Sequence, residues 1–127
     1  MSLVLDAGAF VAVERANRDV IALLKRESIA RRVPMTHGAV IGQIWRGGAG
    51  RQSNVARLLP AVEVVPLDEG LGRRAGVLLG NAGASDVVDA AVVLIAADGD
   101  MILTSDAGDL LPLAVAAAVH VDIVPVR

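Results

Sequence analysis

At 127 residues, 54% of them apolar, the chain is long enough to bury one core, and a single domain over residues 1–127 is expected. No apolar run reaches the ~18–20 residues needed to span a bilayer, and no secretory leader pattern opens the chain, so a soluble cytoplasmic protein with no membrane partner is expected. The absence of cysteine excludes disulfides and thiolate metal sites, while a net charge of −2 weighs only weakly against a nucleic-acid partner.

In chain order, Leu3–Leu5 reads as a short buried strand ending on Asp6. Ala7–Arg15 and Asp19–Arg31 read as helices broken near Asn17, with Val20, Leu23, Leu24 and Ala30 at helical spacing. Val33-Pro34-Met35-Thr36 reads as a second strand, with Pro34 tolerated at an edge or a strand start. His37–Trp45 reads as a helix with Val40, Ile41, Ile44 and Trp45 packed against the core, stopped by Gly47-Gly48. A loop over Ala49–Ser53 leads to a short helix, Asn54–Leu59, closed by Pro60.

The β-branched run Val62-Glu63-Val64-Val65 is a third strand. Asp68 opens a helix to Leu79, halted by Gly80-Asn81-Ala82-Gly83, and Asp86–Ala97 is the best-defined helix of the chain. The turn Asp98-Gly99-Asp100 leads to strand Met101–Thr104, helix Asp106–Ala118 and a last strand, Val121–Val126. Alternation of this kind predicts an α/β fold, a mostly parallel sheet covered by helices on both faces.

Charge is segregated along the chain. Lys25 is the one lysine among twelve basic residues, and Arg26, Arg31, Arg32, Arg46, Arg51 and Arg57 crowd the first half. From Ser85 to Asp109 there is no basic residue but six acids: Asp86, Asp89, Asp98, Asp100, Asp106 and Asp109. An acidic edge beside an arginine-rich flank suits a phosphate-backbone substrate that needs a metal ion. For any single arginine, a solvated surface position is the plainer reading.

Each acid alone also has a structural explanation. Asp6 suits a helix N-cap, and the pairs Asp86/Asp89 and Asp106/Asp109 have the spacing of a capping box with Asp in place of Glu. Jointly they say more, because acids after parallel strands gather at one sheet edge, where ligands bind in open α/β folds. Like charges that close repel unless a cation neutralises them, and oxygen-only ligation suits Mg²⁺ or Mn²⁺. Thr104 and Ser105 stand where a phosphate or a metal-bound water would be hydrogen-bonded, although capping explains Ser105 equally well. Gly8 and Gly83 lie near this edge, where glycine allows close backbone approach, but the plainer reading is ordinary turn glycine; His37 and His120 read as packing or surface residues.

Asp6 after an apolar strand, the helix Asp89-Ala90-Ala91-Val92-Val93-Leu94-Ile95-Ala96-Ala97 and the run Leu103-Thr104-Ser105-Asp106-Ala107-Gly108-Asp109-Leu110 together resemble the PIN domain, with VapC-type toxins of bacterial toxin–antitoxin pairs the best match. The resemblance in element order covers nearly the whole chain. It implies a three-layer α/β/α sandwich, a Mg²⁺- or Mn²⁺-dependent ribonuclease leaving 5′-phosphate and 3′-hydroxyl ends, a homodimer and a VapB-type antitoxin that enters the active-site groove. It makes Asp6, Asp89 and Asp106 the first, third and fourth acids of the catalytic metal site, with Asp86 as a further ligand and Asp109, Thr104 and Ser105 as auxiliaries. Arg46 and Arg51 would contact the RNA.

Two positions depart from the family pattern. Gln43 stands where the second acid, a Glu, is usual, and Gly8 stands where Ser, Thr or Asn is common. Glutamine can offer a carbonyl oxygen but no charge, so the alternative reading is a catalytically weak or inactive PIN module that acts mainly as an antitoxin-binding partner in a DNA-bound repressor complex. A phospho-accepting receiver is set aside for want of a paired acid after the first strand and of a lysine beyond Lys25. A haloacid-dehalogenase-type phosphatase would need Asp-x-Asp, and Gly8 occupies its second position.

Overall fold

The computed structural model describes residues 1–47, 50 and 52–126. Five parallel strands form one sheet: β1 (Leu3–Leu5), β2 (Met35–His37), β3 (Glu63–Val65), β4 (Met101–Thr104) and β5 (Asp122–Pro125), in the order β3-β2-β1-β4-β5. The helices are α1 (Ala7–Glu14), α2 (Arg18–Ile29), α3 (Gly38–Ile44), α4 (Ser53–Leu58), α5 (Glu69–Ala82), α6 (Val87–Ile95) and α7 (Ala107–Ala117). From β1 the chain steps one way to β2 and β3, then crosses back to β4 and β5. Right-handed crossovers therefore put α1–α4 on one face and α5–α7 on the other, and the packing contacts among helices fall into those same two groups. This is the α/β/α sandwich the alternation predicts.

The central strands are buried on both faces, so they carry an unbroken apolar run instead of an alternating one. Leu3, Val4 and Leu5 in β1 and Ile102 and Leu103 in β4 are wholly enclosed, with Phe10 of α1, Val92 and Val93 of α6 and Leu110 of α7 packed against them. Parallel β1 and β4 pair in register from Leu3↔Met101 to Leu5↔Leu103. Their carboxyl ends, and hence Asp6 and Asp106, come out side by side where the strand order reverses. That point is a topological switch point, the usual place for a ligand in such a sheet.

Several expectations need correction. The second strand starts at Met35 and not Val33, and it runs on through His37. Pro34 has no N–H for the ladder and stands outside it, its carbonyl accepting from Glu63 N–H. Helix α3 ends at Ile44, before the Gly47-Gly48 stop, because Trp45 turns extended and the Arg46 guanidinium takes over the Gly42 and Trp45 carbonyls. Gly48 lies outside the described residues. Trp45 is 41% exposed rather than packed in the core, a consequence of that early ending. Pro60 does not close α4 but sits inside a 3₁₀ turn, Leu59–Ala61, that continues it. Helix α5 does not end at Leu79 but runs through Gly80, Asn81 and Ala82, and Gly83 alone, with φ +65°, is its C-cap.

Among the described residues no single helix is long and apolar enough to cross a membrane. A charged residue outside the acid edge is enclosed, with an arginine as its partner. Glu27 of α2 is fully buried, and its Oε2 accepts from Arg32 Nε at 2.8 Å and from Nη2.

Candidate functional site

The site is built from strand ends and helix starts. Asp6 leaves β1 and becomes the N-cap of α1, with Oδ1 accepting from Ala7 N–H at 2.8 Å. Its Oδ2 accepts from the Thr104 hydroxyl at 2.7 Å, across the β1–β4 pair. Thr104 is fully enclosed, and its oxygen in turn accepts from Asp106 N–H at 2.9 Å. One hydroxyl thus fixes the first acid and the backbone of the fourth. Asp106 takes the N-cap position of α7, but its side chain makes no capping bond. The capping box expected for Asp106/Asp109 does not form, and the Asp106 carboxylate stays exposed and uncommitted.

Helix α6 runs from the carboxyl edge of the sheet back toward the start of β4, so its first turn faces the same place. Asp86 caps it as expected, its Oδ1 accepting from Val88 N–H at 2.9 Å and Asp89 N–H at 3.1 Å. Asp89 sits one turn in and is 8% exposed. Burial, then the charges of Asp86, Asp6, Asp106 and Asp109 in that order, push its carboxyl up to about 7. Asp89 thus feels all four of the other acids. Asp86, Asp89 and Asp109 also line a cavity of about 370 Å³ between the α5–α6 turn and α7. Among the described residues no three acid or histidine side chains form a ready-made metal cage. The acids converge in field without closing on a point.

This donor set fits a small hard cation. It is all oxygen, burial and then like charges that a positive ion would relieve push Asp89 up to about 7, and the Asp106 carboxylate makes no hydrogen bond among the described residues. Magnesium characteristically keeps several waters and takes only one or two carboxylates directly, so an open arrangement of acids suits it.

The remaining candidates are less central. Asp98 and Asp100 do not belong to the acid edge, because they precede β4 and lie at the opposite end of the sheet. Asp100 is buried there, accepting from Ser2 and Ala97 N–H groups, and Asp98 accepts from His120 N–H. Gln43 is exposed on α3, and its side chain makes no hydrogen bond among the described residues. The Arg46 guanidinium closes the end of α3 through Nη1, at 3.0 Å from Gly42 O and 2.9 Å from Trp45 O. Arg51 lies outside the described residues. A larger apolar cavity of about 530 Å³, with Ile21, Leu24, Arg31 and Arg57 in its wall, lies beside α2 and α4 and includes none of the acids.

Two supporting residues carry more than the sequence suggested. His37 is fully buried at the N-cap of α3, where its Nδ1 accepts from Ala39 N–H at 3.2 Å and its Nε2 bonds Val88 O at 2.9 Å. Since Nδ1 accepts, the proton is on Nε2 and the ring donates to the carbonyl beside Asp89, tying α6 to the end of β2. Position 37 after a strand with a polar side chain was the available signal. Gly8 is not a turn glycine, for it lies within the first turn of α1 and packs directly on Ser105.

No protein-family model and no curated protein matches the chain. Among solved structures it is similar to VapBC2 from Rickettsia felis bound to a DNA fragment from their promoter, with 10% sequence identity and a TM-score of 0.68 over 98% of this chain and 99% of that one. At that identity the likeness is one of fold, and the fold is the PIN-like sandwich that the acidic motifs resemble.

Proposed function

We propose that this chain is a divalent-metal-dependent endoribonuclease of the VapC type, acting at the edge where β1 and β4 diverge. The observation that carries the reading is Asp89, a nearly enclosed carboxylate pushed up to about 7 with four further acids around it. A fold gains nothing from such crowding; a site for a cation does. Asp6, Asp89 and Asp106 would hold Mg²⁺ or Mn²⁺, with Asp86 as a further ligand. When bound, the ion would polarise the scissile phosphate and lower the pKa of an attacking water.

The chain's own residues prepare the rest. Thr104 and Ala7 N–H aim both oxygens of Asp6, His37 holds the start of α6, and the uncommitted Asp106 carboxylate is available from the solvent side. Arg46, Arg51 and the other arginines of the first half, apart from Arg32 with its partner Glu27, would supply phosphate contacts, which makes RNA binding salt-sensitive. A VapB-type antitoxin and a second copy of the chain are the proposed partners, in the cytoplasm. The likeness to a VapBC2 complex on promoter DNA supports the antitoxin.

The test is cleavage of RNA by purified protein in Mg²⁺ or Mn²⁺ beside Asp6→Asn. The wild type is expected to cleave and Asp6→Asn to be inert; equal cleavage by both would remove the site from these acids. Gln43, exposed and uncharged, favours the second reading of a weak module that serves chiefly as an antitoxin partner, and Gln43→Glu tests it as described below.

A further inference from the structure

Gly8 has an ordinary helical backbone, so no left-handed conformation asks for glycine. Space does. A Cβ on residue 8 would lie 2.5 Å from Ser105 Oγ, 2.6 Å from its Cβ and 2.7 Å from its backbone nitrogen. The last contact is with main chain, so rotating the serine would not relieve it. Any side chain at position 8 must displace the turn that joins Thr104 to Asp106.

The hydroxyl held in this way is exposed and makes no hydrogen bond among the described residues. Its neighbours differ. The Thr104 hydroxyl is spent on Asp6 and on Asp106 N–H, and no Lys or Arg occurs from Ser85 to Asp109. A phosphate approaching Asp6 and Asp106 therefore meets carboxylates, and Ser105, next in the chain to Asp106, offers a side-chain donor with no partner among the described residues. A bound ion can neutralise the acids, but a phosphodiester presents two non-bridging oxygens, and the second needs a donor of its own.

We propose that the Ser105 hydroxyl binds a non-bridging phosphate oxygen of the RNA at this edge, and that Gly8 is the seat that places it there. This rests on the nuclease reading above. It makes Ser105 a substrate-binding residue and Gly8 a positioning residue.

The experiment uses the full chain and a short fluorescent single-stranded RNA, with cleavage followed in Mn²⁺, binding by anisotropy in Ca²⁺ and folding by Tm. Ser105→Ala is expected to raise KM and the RNA Kd about tenfold with kcat and Tm little changed, the loss of one hydrogen bond to a charged group. Ser105→Thr, which keeps the hydroxyl, is expected to stay within about threefold of wild type. Gly8→Ala is expected to lower Tm and to raise KM as Ser105→Ala does. Ser105→Ala binding and cleaving like wild type, or Ser105→Thr behaving no better than Ser105→Ala, would overturn the role of the hydroxyl. Gly8→Ala with unchanged Tm and KM would overturn the seat. Should the wild type cleave no better than Asp6→Asn, the nuclease reading falls first and takes this inference with it. Asp6-dependent cleavage with an indifferent Ser105→Ala overturns this inference alone.

Discussion

Glu27 in α2 and Asp89 in α6 are both carboxylates enclosed by the fold, and their surroundings are opposite. Glu27 has a guanidinium against it, whereas Asp89 has four more acids around it and, among the described residues, no ion-pair partner. Glu27 is neutralised by its own chain and serves the architecture of the α2 end, although its Oε1 has no hydrogen-bond partner among the described residues. On the function proposed above, Asp89 is left for a bound cation to neutralise. An enclosed carboxylate satisfied by its own chain, as Glu27 is by Arg32 and Asp100 by backbone N–H groups, serves structure, whereas one crowded by like charges fits the proposed cation site.

The contrast breaks most sharply at Arg32. Arg32→Ala leaves Glu27 enclosed with no counter-charge and should cost about 3 kcal/mol, read as a lower urea midpoint. The double change Glu27→Met with Arg32→Met should recover most of it, because an apolar pair carries no desolvation penalty. Cleavage per folded molecule should be untouched by either.

Next in size is Thr104→Val, which removes a donor from buried Asp6 and an acceptor from Asp106 N–H. A loss of about 2 kcal/mol is expected, together with weaker Mn²⁺ binding by titration calorimetry.

Asp89→Asn should move stability the other way. The group is raised from 3.8 in the unfolded chain to about 7 in the fold, so the folded state holds the extra proton between those values. Stability is then highest below about 4, falls as pH rises toward 7 and is flat above it. Asp89→Asn removes that slope and should gain about 1–2 kcal/mol at pH 8 and nothing at pH 4. The same change should abolish cleavage. Mn²⁺ should raise the Tm of wild type at pH 8 but not that of Asp89→Asn. Stabilisation at a cost in activity is the signature that separates Asp89 from Glu27.

The smallest effect is expected at Gln43. Its side chain is exposed, so the charge added by Gln43→Glu is screened and should tighten Mn²⁺ by less than about fivefold. A much larger rise in metal binding or cleavage would instead favour the weakened-module reading.

Much of this was legible in the sequence where local chemistry decides. Strands Leu3–Leu5 and Met101–Thr104 stand where the apolar runs placed them, because central strands of a parallel sheet are apolar throughout. Asn17, Asp68 and Asp86 cap the helices that their positions announce. Other features depend on tertiary placement. Asp98 and Asp100 look like members of the acid cluster in sequence and belong to the far end of the sheet. Trp45 fits a helical face, but α3 stops one residue short of it. Gly8 reads as a loose turn until Ser105, nearly a hundred positions away, is found resting on it. The crowding at Asp89 joins three separate segments of chain; the sequence shows the neighbour Asp86 and the gathering of acids at one edge, but not that Asp89 is the one enclosed.

The Thr104–Asp6 bond joins residues 98 apart in sequence. During synthesis the first acid therefore emerges long before the strand that aims it, and β1 must wait for β4 before the middle of the sheet can close. A nascent chain halted short of Thr104 would carry Asp6 without Asp106 or the hydroxyl that fixes both. Whatever the acid edge does, it begins doing it only once Thr104 and Asp106 have been made and have found Asp6.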